Sequence, residues 1–298
     1  MEQDVIAPEQ EAVLEFSRSS DIVNQALKTH IIHSNGSAVS AGAVPSGFYS
    51  LDQKTSGFKK AELTAIAVRK GMGKTSFLLS LINNIAIKQK RAVAVFSSER
   101  SAGRIIQRLI ETETGFSMNK IRNNSLSESQ QEHAKTLINI ISDAEIFIND
   151  NPKPAVETIA KQSRLLAKKN KPEVIFVDYL EMLAANIHEP VSRQEEYRHI
   201  LQELQNLSEE LNIPVIVFTQ IPGHQSANTP SARDVSDELK EKVKNLMLLH
   251  RNNMKDTKHT HQPKGYAELL IEKDSRLEKQ GKVGIRFIES IDKFVNLQ

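Results

Sequence analysis

The residues best equipped for chemistry stand in one run, Arg69-Lys70-Gly71-Met72-Gly73-Lys74-Thr75-Ser76. Glycines two positions apart let successive backbone N–H groups turn toward an anion, and a lysine and a hydroxyl follow at once. That order suits phosphate. Lys74 is placed to reach the β- and γ-phosphates of a nucleoside triphosphate, and the Thr75 hydroxyl to bind Mg²⁺. The usual pattern, G-x-x-x-x-G-K-[ST], opens on glycine, where this sequence has Val68. The surroundings outweigh that departure. An apolar run, Leu63–Val68, enters the loop and an amphipathic stretch, Thr75–Ile87, leaves it, giving the strand, loop and helix that a phosphate site needs. All eight residues from Arg69 to Ser76 are therefore expected to hold nucleotide.

Three other apolar runs end in residues that suit the same chemistry. Val174-Ile-Phe-Val-Asp178 ends in a carboxylate that can hold Mg²⁺ through water. Ala92–Phe96 leads into Ser97-Ser98-Glu99-Arg100, where Glu99 can take a proton from an attacking water or orient it. The plainer alternative for Glu99 is a helix-start residue favoured by the dipole. Val215–Phe218 leads into Thr219-Gln220, whose amide could sense the γ-phosphate or be an ordinary loop residue. Each is weak alone. Lys74, Glu99, Asp178 and Gln220 at the ends of four strands make a more specific pattern than any one of them.

The elements that must position these residues alternate along the chain. Ile146–Ile148 is a further strand-like run, and helical patterns cover Ser101–Glu113, Ser127–Ile141, Val156–Lys169 and Gln194–Leu211. Continuous apolar strands alternating with helices predict an α/β fold, a mostly parallel sheet with helices on both faces. Three last β-like runs, Leu246–Leu249, Ala267–Ile271 and Val283–Phe287, have short connections and are expected as hairpin-like additions at an edge. Ahead of the domain, Ser20 and Asp21 can cap a helix carrying Ile22, Val23, Ala26, Leu27 and Ile31, and a small-residue linker runs on to Pro45. This divides the chain into an arm, 1–45, and a domain, 46–298. The arm helix has an apolar face to bury, on its own domain or on a neighbouring subunit.

Composition sets bounds. A net charge of +2 neither requires nor excludes nucleic acid, since a groove needs only a local basic stripe. The chain has no cysteine, which removes disulfides and thiolate metal sites and suits a reducing cytoplasm. No apolar run is long enough to span a bilayer and the acidic start does not read as a signal peptide, so no membrane role is expected. His250, His259 and His261 fall in or beside the polar stretch Arg251–Lys264, which reads as solvated loop rather than metal site. With 4 Tyr and no Trp, a base-stacking platform is not visible, and a grip on nucleic acid would fall to phosphate contacts.

Several of these segments together resemble a family. Ser46-Gly-Phe-Tyr-Ser-Leu-Asp-Gln-Lys-Thr-Ser-Gly-Phe58, the Arg69–Ser76 loop, Phe96-Ser-Ser-Glu99, Val177-Asp-Tyr-Leu180, Thr219-Gln220 and Lys293-Phe-Val-Asn-Leu297 follow the order found in the RecA-like P-loop ATPase domain of DnaB-type replicative helicases. That family also has an apolar residue where Val68 stands. The resemblance implies ATP and Mg²⁺ bound between subunits of a hexameric ring that moves 5′→3′ on single-stranded DNA, aided by a loader or other replisome protein. It implies a cytoplasmic, bacterial or phage-encoded protein and an arm that docks on the adjacent subunit.

It also assigns residues. Where the family carries Lys-x-Arg as catalytic fingers reaching the next subunit, this chain has Lys273, then Ser275 at the usual arginine position and Arg276 one residue later. DNA contact would fall to Lys240, Lys242 or Lys244, in a region that lacks the glycine of the family's DNA loop. Glu181 stands where the family usually has Gln, and the family's N-terminal helical domain has no counterpart. A DNA helicase is the first reading. A non-unwinding RecA-like ATPase, serving as helicase accessory or recombination mediator, is the second, and a nucleotide kinase the third.

Overall fold

A computed structural model describes residues 17–22, 43–187, 191–222, 229–251, 264–274 and 280–297. In chain order the strands are β1 (Ser17–Arg18), β2 (Leu63–Arg69), β3 (Val93–Ser97), β4 (Ile146–Asn149), β5 (Val174–Asp178), β6 (Val215–Ile221), β7 (Asn245–Arg251), β8 (Tyr266–Lys273), β9 (Gly281–Ile288) and β10 (Lys293–Asn296). The α-helices are α1 (Tyr49–Thr55), α2 (Lys74–Ile82), α3 (Ala102–Thr114), α4 (Met118–Arg122), α5 (Glu128–Asp143), α6 (Val156–Asn170), α7 (Arg193–Leu211) and α8 (Asp237–Lys242). All ten strands join one sheet in the order β1-β4-β3-β5-β6-β2-β7-β8-β9-β10. From β4 to β7 neighbouring strands are parallel, while β1 at one edge and β8 to β10 at the other are antiparallel.

The strands are apolar on both sides because both sides are covered. In β2, Ile66 and Val68 pack into the cluster under α2, α3 and α5, while Leu63, Ala65 and Ala67 pack into the opposite cluster under α6, α7 and α8. Helix starts are fixed by local chemistry. The hydroxyls of Ser101, Ser127 and Ser192 accept the backbone N–H three residues on, and Gln130 and Glu195 complete reciprocal capping boxes at the latter two. Among the described residues no helix is long and apolar enough to cross a membrane.

The run Leu246–Leu249 departs from expectation. It is β7, an interior strand parallel to β2, and only β8, β9 and β10 form the antiparallel extension. Its residues alternate between the two cores, Met247 and Leu249 on one face, Leu246 and Leu248 on the other, which only an interior position satisfies. The helix expected over Thr75–Ile87 also changes pitch, becoming π-helical over Asn83–Lys88. There Asn84 donates to the Ser46 carbonyl at 3.2 Å.

Part of the arm packs on its own domain. Ser17 and Arg18 pair with Ile148 and Phe147 of β4, the Ser19 hydroxyl donates to the Ala144 carbonyl at 2.5 Å, and Ile22 is buried. The remaining arm-helix positions, Val23 to Ile31, lie outside the described residues. Val44 is fully buried and exchanges two 2.7 Å backbone bonds with Phe58.

The last strand, at the sheet edge, packs back on the helix that follows the phosphate loop. Phe294 of β10 is buried edge-on against Phe77 of α2 and tilted against Phe287 of β9, and its N–H donates to Ser80 at 3.0 Å. Lys293 bonds Glu113 of α3 at 2.7 Å. Phe294→Ala removes a buried ring and is expected to cost about 3–5 kcal/mol. Urea unfolding is the measurement, and a loss under about 1 kcal/mol would show that the site refills.

Candidate active site

The loop between β2 and α2 turns on two glycines with positive φ, Gly71 at 80° and Gly73 at 98°. At Gly73 a Cβ would also lie 3.0 Å from the Phe294 ring, so both conformation and space call for glycine there. Gly73 is the N-cap of α2 and supplies no side-chain cap. The first N–H groups of the helix and its dipole are thus left for an anion.

Lys74, at the start of α2, joins the next two strand ends. Its ammonium lies 2.5 Å from Asp178 Oδ1 and 2.9 Å from Glu99 Oε2, and 3.7 Å from the centre of the Tyr179 ring. The sheet makes this possible by pairing β3 with β5, so that Ser97 stands opposite Asp178 and Glu99 follows just beyond. Burial pushes the Asp178 carboxyl above its ordinary range, against the lowering effect of Lys74. For Glu99, burial also acts upward, but the Lys74 bond and charge, with help from Arg100, bring it below the ordinary range.

Gln220 stands at the same edge, in register with Val68 on the neighbouring strand β6 and exposed. Its backbone N–H donates to Glu181 Oε1 at 3.0 Å, and the Thr219 hydroxyl donates to the same oxygen. Glu181 thus ties the residue pair at the end of β6 to the turn after β5. Beside it opens a cavity of about 510 Å³, lined in part by Tyr197, Gln194 and Glu238. Burial, with the Glu181 charge behind it, pushes the Tyr197 phenol up to about 12.

The remaining loop residues divide. Lys70 is exposed, Met72 is buried, and the Met72 N–H closes the turn on the Arg69 carbonyl at 3.1 Å. The Arg69 side chain goes to Asp234 at 3.2 Å, and the Ser76 hydroxyl to Asp292 at 2.7 Å. The Thr75 hydroxyl accepts from Arg100 Nε at 3.5 Å. Among the described residues no group of three or more His, Asp or Glu could hold a metal by itself, and His259 and His261 lie outside them. Thr75 and Asp178 are hard oxygen donors that fit Mg²⁺ if a substrate's phosphates supply further ligands, the usual arrangement for that ion.

Lys273 stands elsewhere. It pairs with Leu246 at the start of β7, the end of the sheet opposite the phosphate loop, and its ammonium donates to the carbonyls of Lys240 and Val243 at 2.8 and 2.7 Å. Lys240 and Lys242 lie on α8 nearby, bonded to Asp237 and Gln202, and the Lys244 N–H bonds the Leu63 carbonyl at the start of β2. Arg276 lies outside the described residues.

Four residues at the loop were not singled out from sequence: Tyr179 and Arg100 beside Lys74 and Thr75, Phe294 against Gly73, and Asp292, which binds Ser76 and Arg108. Arg100 carried a signal as a cation next to the candidate base, and Tyr179 and Phe294 fell inside segments of the resemblance. Asp292 depends on long-range packing.

A parallel sheet with a phosphate loop after its central strand, and two carboxylates converging on that loop from adjacent strands, defines a RecA-like nucleotide-binding domain. The chain belongs to the family of the DnaB-like helicase C terminal domain, whose pattern matches residues 43–296. It is 28% identical over 291 residues to the replicative DNA helicase DnaB of Geobacillus stearothermophilus, covering 95% of this chain and 63% of that one. To the replicative DNA helicase DnaC of Bacillus subtilis it is 29% identical over 260 residues, 86% of this chain and 57% of that one. The chain thus spans about three fifths of the length of these relatives. Among solved structures, a DnaB-like replicative helicase studied for its interactions with primase superposes with a TM-score of 0.75 at 28% identity, covering 86% of this chain and 62% of that one.

The Asp178 shift has a consequence for stability. A carboxyl whose folded value is raised adds stability fully below its unfolded value, near 3.8, and loses it as pH rises through the folded value. At neutral pH the buried carboxyl is therefore a cost relative to the unfolded chain. Asp178→Asn is expected to melt at or above the wild-type temperature at pH 7, with the advantage shrinking toward about pH 4. Thermal melts without nucleotide check this, and a clearly lower melting temperature at neutral pH would mean that the bond to Lys74 outweighs burial.

Proposed function

We propose that this chain is the motor of a ring-forming, ATP-dependent DNA helicase that moves on single-stranded DNA. The observation that carries the reading is the convergence of Lys74, Glu99 and Asp178 at the phosphate loop. A triphosphate entering the loop draws the Lys74 ammonium onto its phosphates. Glu99 then loses the charge that holds its carboxyl low and becomes a stronger base as substrate arrives. It takes the proton of the attacking water, or orients that water, while Gln220 senses the terminal phosphate from the adjoining strand. Thr75, and Asp178 through water, would hold Mg²⁺, which when bound neutralises charge on the phosphates.

The position of Lys273 supports catalysis between subunits. It lies at the sheet end opposite its own phosphate loop, so with Arg276 it would serve the site of an adjacent protomer in a hexameric ring. Lys240, Lys242 and Lys244 would offer phosphate contacts to DNA, and a loader or other replisome protein would place the ring. The reading puts the protein in the cytoplasm, bacterial or phage-encoded.

Glu99→Gln is expected to keep nucleotide binding and to lose hydrolysis by roughly 10²-fold or more. Strand displacement should disappear with it in a forked-duplex assay. ATP turnover stimulated by single-stranded DNA in wild-type protein, without any displacement, would replace the helicase by a non-unwinding accessory ATPase. For the interface, Arg276→Ala and Lys74→Ala subunits, each weak alone, should regain turnover when mixed, because some contacts then join an intact loop to an intact finger. Wild-type turnover by Arg276→Ala alone, with DNA bound, removes Arg276 from the reaction.

A further inference from the structure

Arg100, beside the loop, is a cation with no carboxylate of its own among the described residues. Arg69 pairs with Asp234, Arg108 with Asp292 and Arg251 with Glu289, and Lys74 is held twice, whereas no carboxylate oxygen among the described residues lies within ion-pair distance of Arg100. Its side chain makes one long contact, from Nε to the Thr75 hydroxyl at 3.5 Å. The backbone that carries it is fixed. The buried Ser97 hydroxyl donates to the Arg100 carbonyl at 2.8 Å and accepts its N–H at 3.3 Å, and the Ser98 N–H bonds the Asp178 carbonyl at 2.7 Å. A partly exposed guanidinium is therefore held at the mouth of the phosphate loop, beside Thr75, with its charge unmatched by a direct partner.

We propose that Arg100 binds the terminal phosphate of a nucleoside triphosphate in cis, within the chain that owns the phosphate loop, and so lets the site distinguish triphosphate from diphosphate. The proposal rests on the nucleotide-binding reading above. Two arguments carry it. A planar guanidinium with several N–H donors matches phosphate oxygens in a way the weak bond to a hydroxyl does not. A divalent cation held by the Thr75 hydroxyl would repel the guanidinium beside it, so a loaded site turns Arg100 away from that oxygen, and the terminal phosphate, which Lys74 also grips, is an anion it can meet there. With a diphosphate that anion is missing. Arg100 differs in this from Lys273 and Arg276, which would reach a site on another chain.

The test is binding, which does not depend on turnover. Affinities for a non-hydrolysable ATP analogue and for ADP, each with Mg²⁺, are measured for wild type, Arg100→Met, Arg100→Lys and Lys74→Ala by titration of a fluorescent nucleotide. Arg100→Met is expected to weaken the triphosphate analogue about 10- to 100-fold, the scale of one hydrogen bond to a charged group, with ADP changed by about twofold or less. Arg100→Lys should recover part of the loss, and the loss should hold at every chain concentration because both partners lie in one chain. Equal weakening of both nucleotides, no weakening of either, or a loss confined to assembled material would overturn the assignment. If Lys74→Ala loses the triphosphate preference and Arg100→Met keeps it, Arg100 alone is wrong. If Lys74→Ala binds both nucleotides as wild type does, the nucleotide reading itself fails and the proposal falls with it.

Discussion

One ammonium holds the candidate catalytic edge together. Lys74 enters from the loop after β2, Glu99 from beyond the end of β3 and Asp178 from the end of β5, and β2 and β3 are not neighbours in the sheet. Two like-charged carboxylates would not approach one point without a cation between them. Lys74 provides it, and the Tyr179 ring beneath adds a surface that favours the same charge. The arrangement is self-consistent without ligand, which means that a phosphate must compete for the lysine with carboxylates of the chain itself. In the proposed mechanism, binding and the arming of Glu99 then become one event.

The parallel order of the central strands is what brings these groups to one edge. Every parallel strand ends on the same side, so residues far apart in sequence become neighbours by register alone, as Val68 and Gln220 do. The antiparallel run of β8 reverses this and sends Lys273 to the other end. A single sheet thus carries two chemically different ends.

Much of this was legible in sequence. Continuous apolar runs marked the interior strands, helical spacing marked the helices between them, and Lys74, Glu99, Asp178 and Gln220 could be read as strand-end residues because each follows such a run closely. What stayed hidden depends on distant parts of the chain. The place of β7 was misjudged from its short connections, although its apolar residues on both faces carried the sign of an interior strand. No local pattern could announce that Asp292 would hold Ser76, or that the ring of Phe294 would occupy the space beside Gly73. In sequence Glu181 stands out only as a departure from the family's usual residue, and its bonds to Thr219 and Gln220 depend on the fold.

The seat of the phosphate loop has a consequence for the order in which the chain is made. The loop precedes most of the sheet in synthesis, yet the ring it leans on is Phe294 and the carboxylate that holds Ser76 is Asp292. Contacts of such sequence separation are among the last a folding chain can close. A chain still on the ribosome has its glycines, lysine and threonine but lacks the wall that fixes them. The seat of the loop is therefore completed only with β10, and an interrupted product keeps the carboxylates on Lys74 but lacks the ring beside Gly73 and the bond to Ser76.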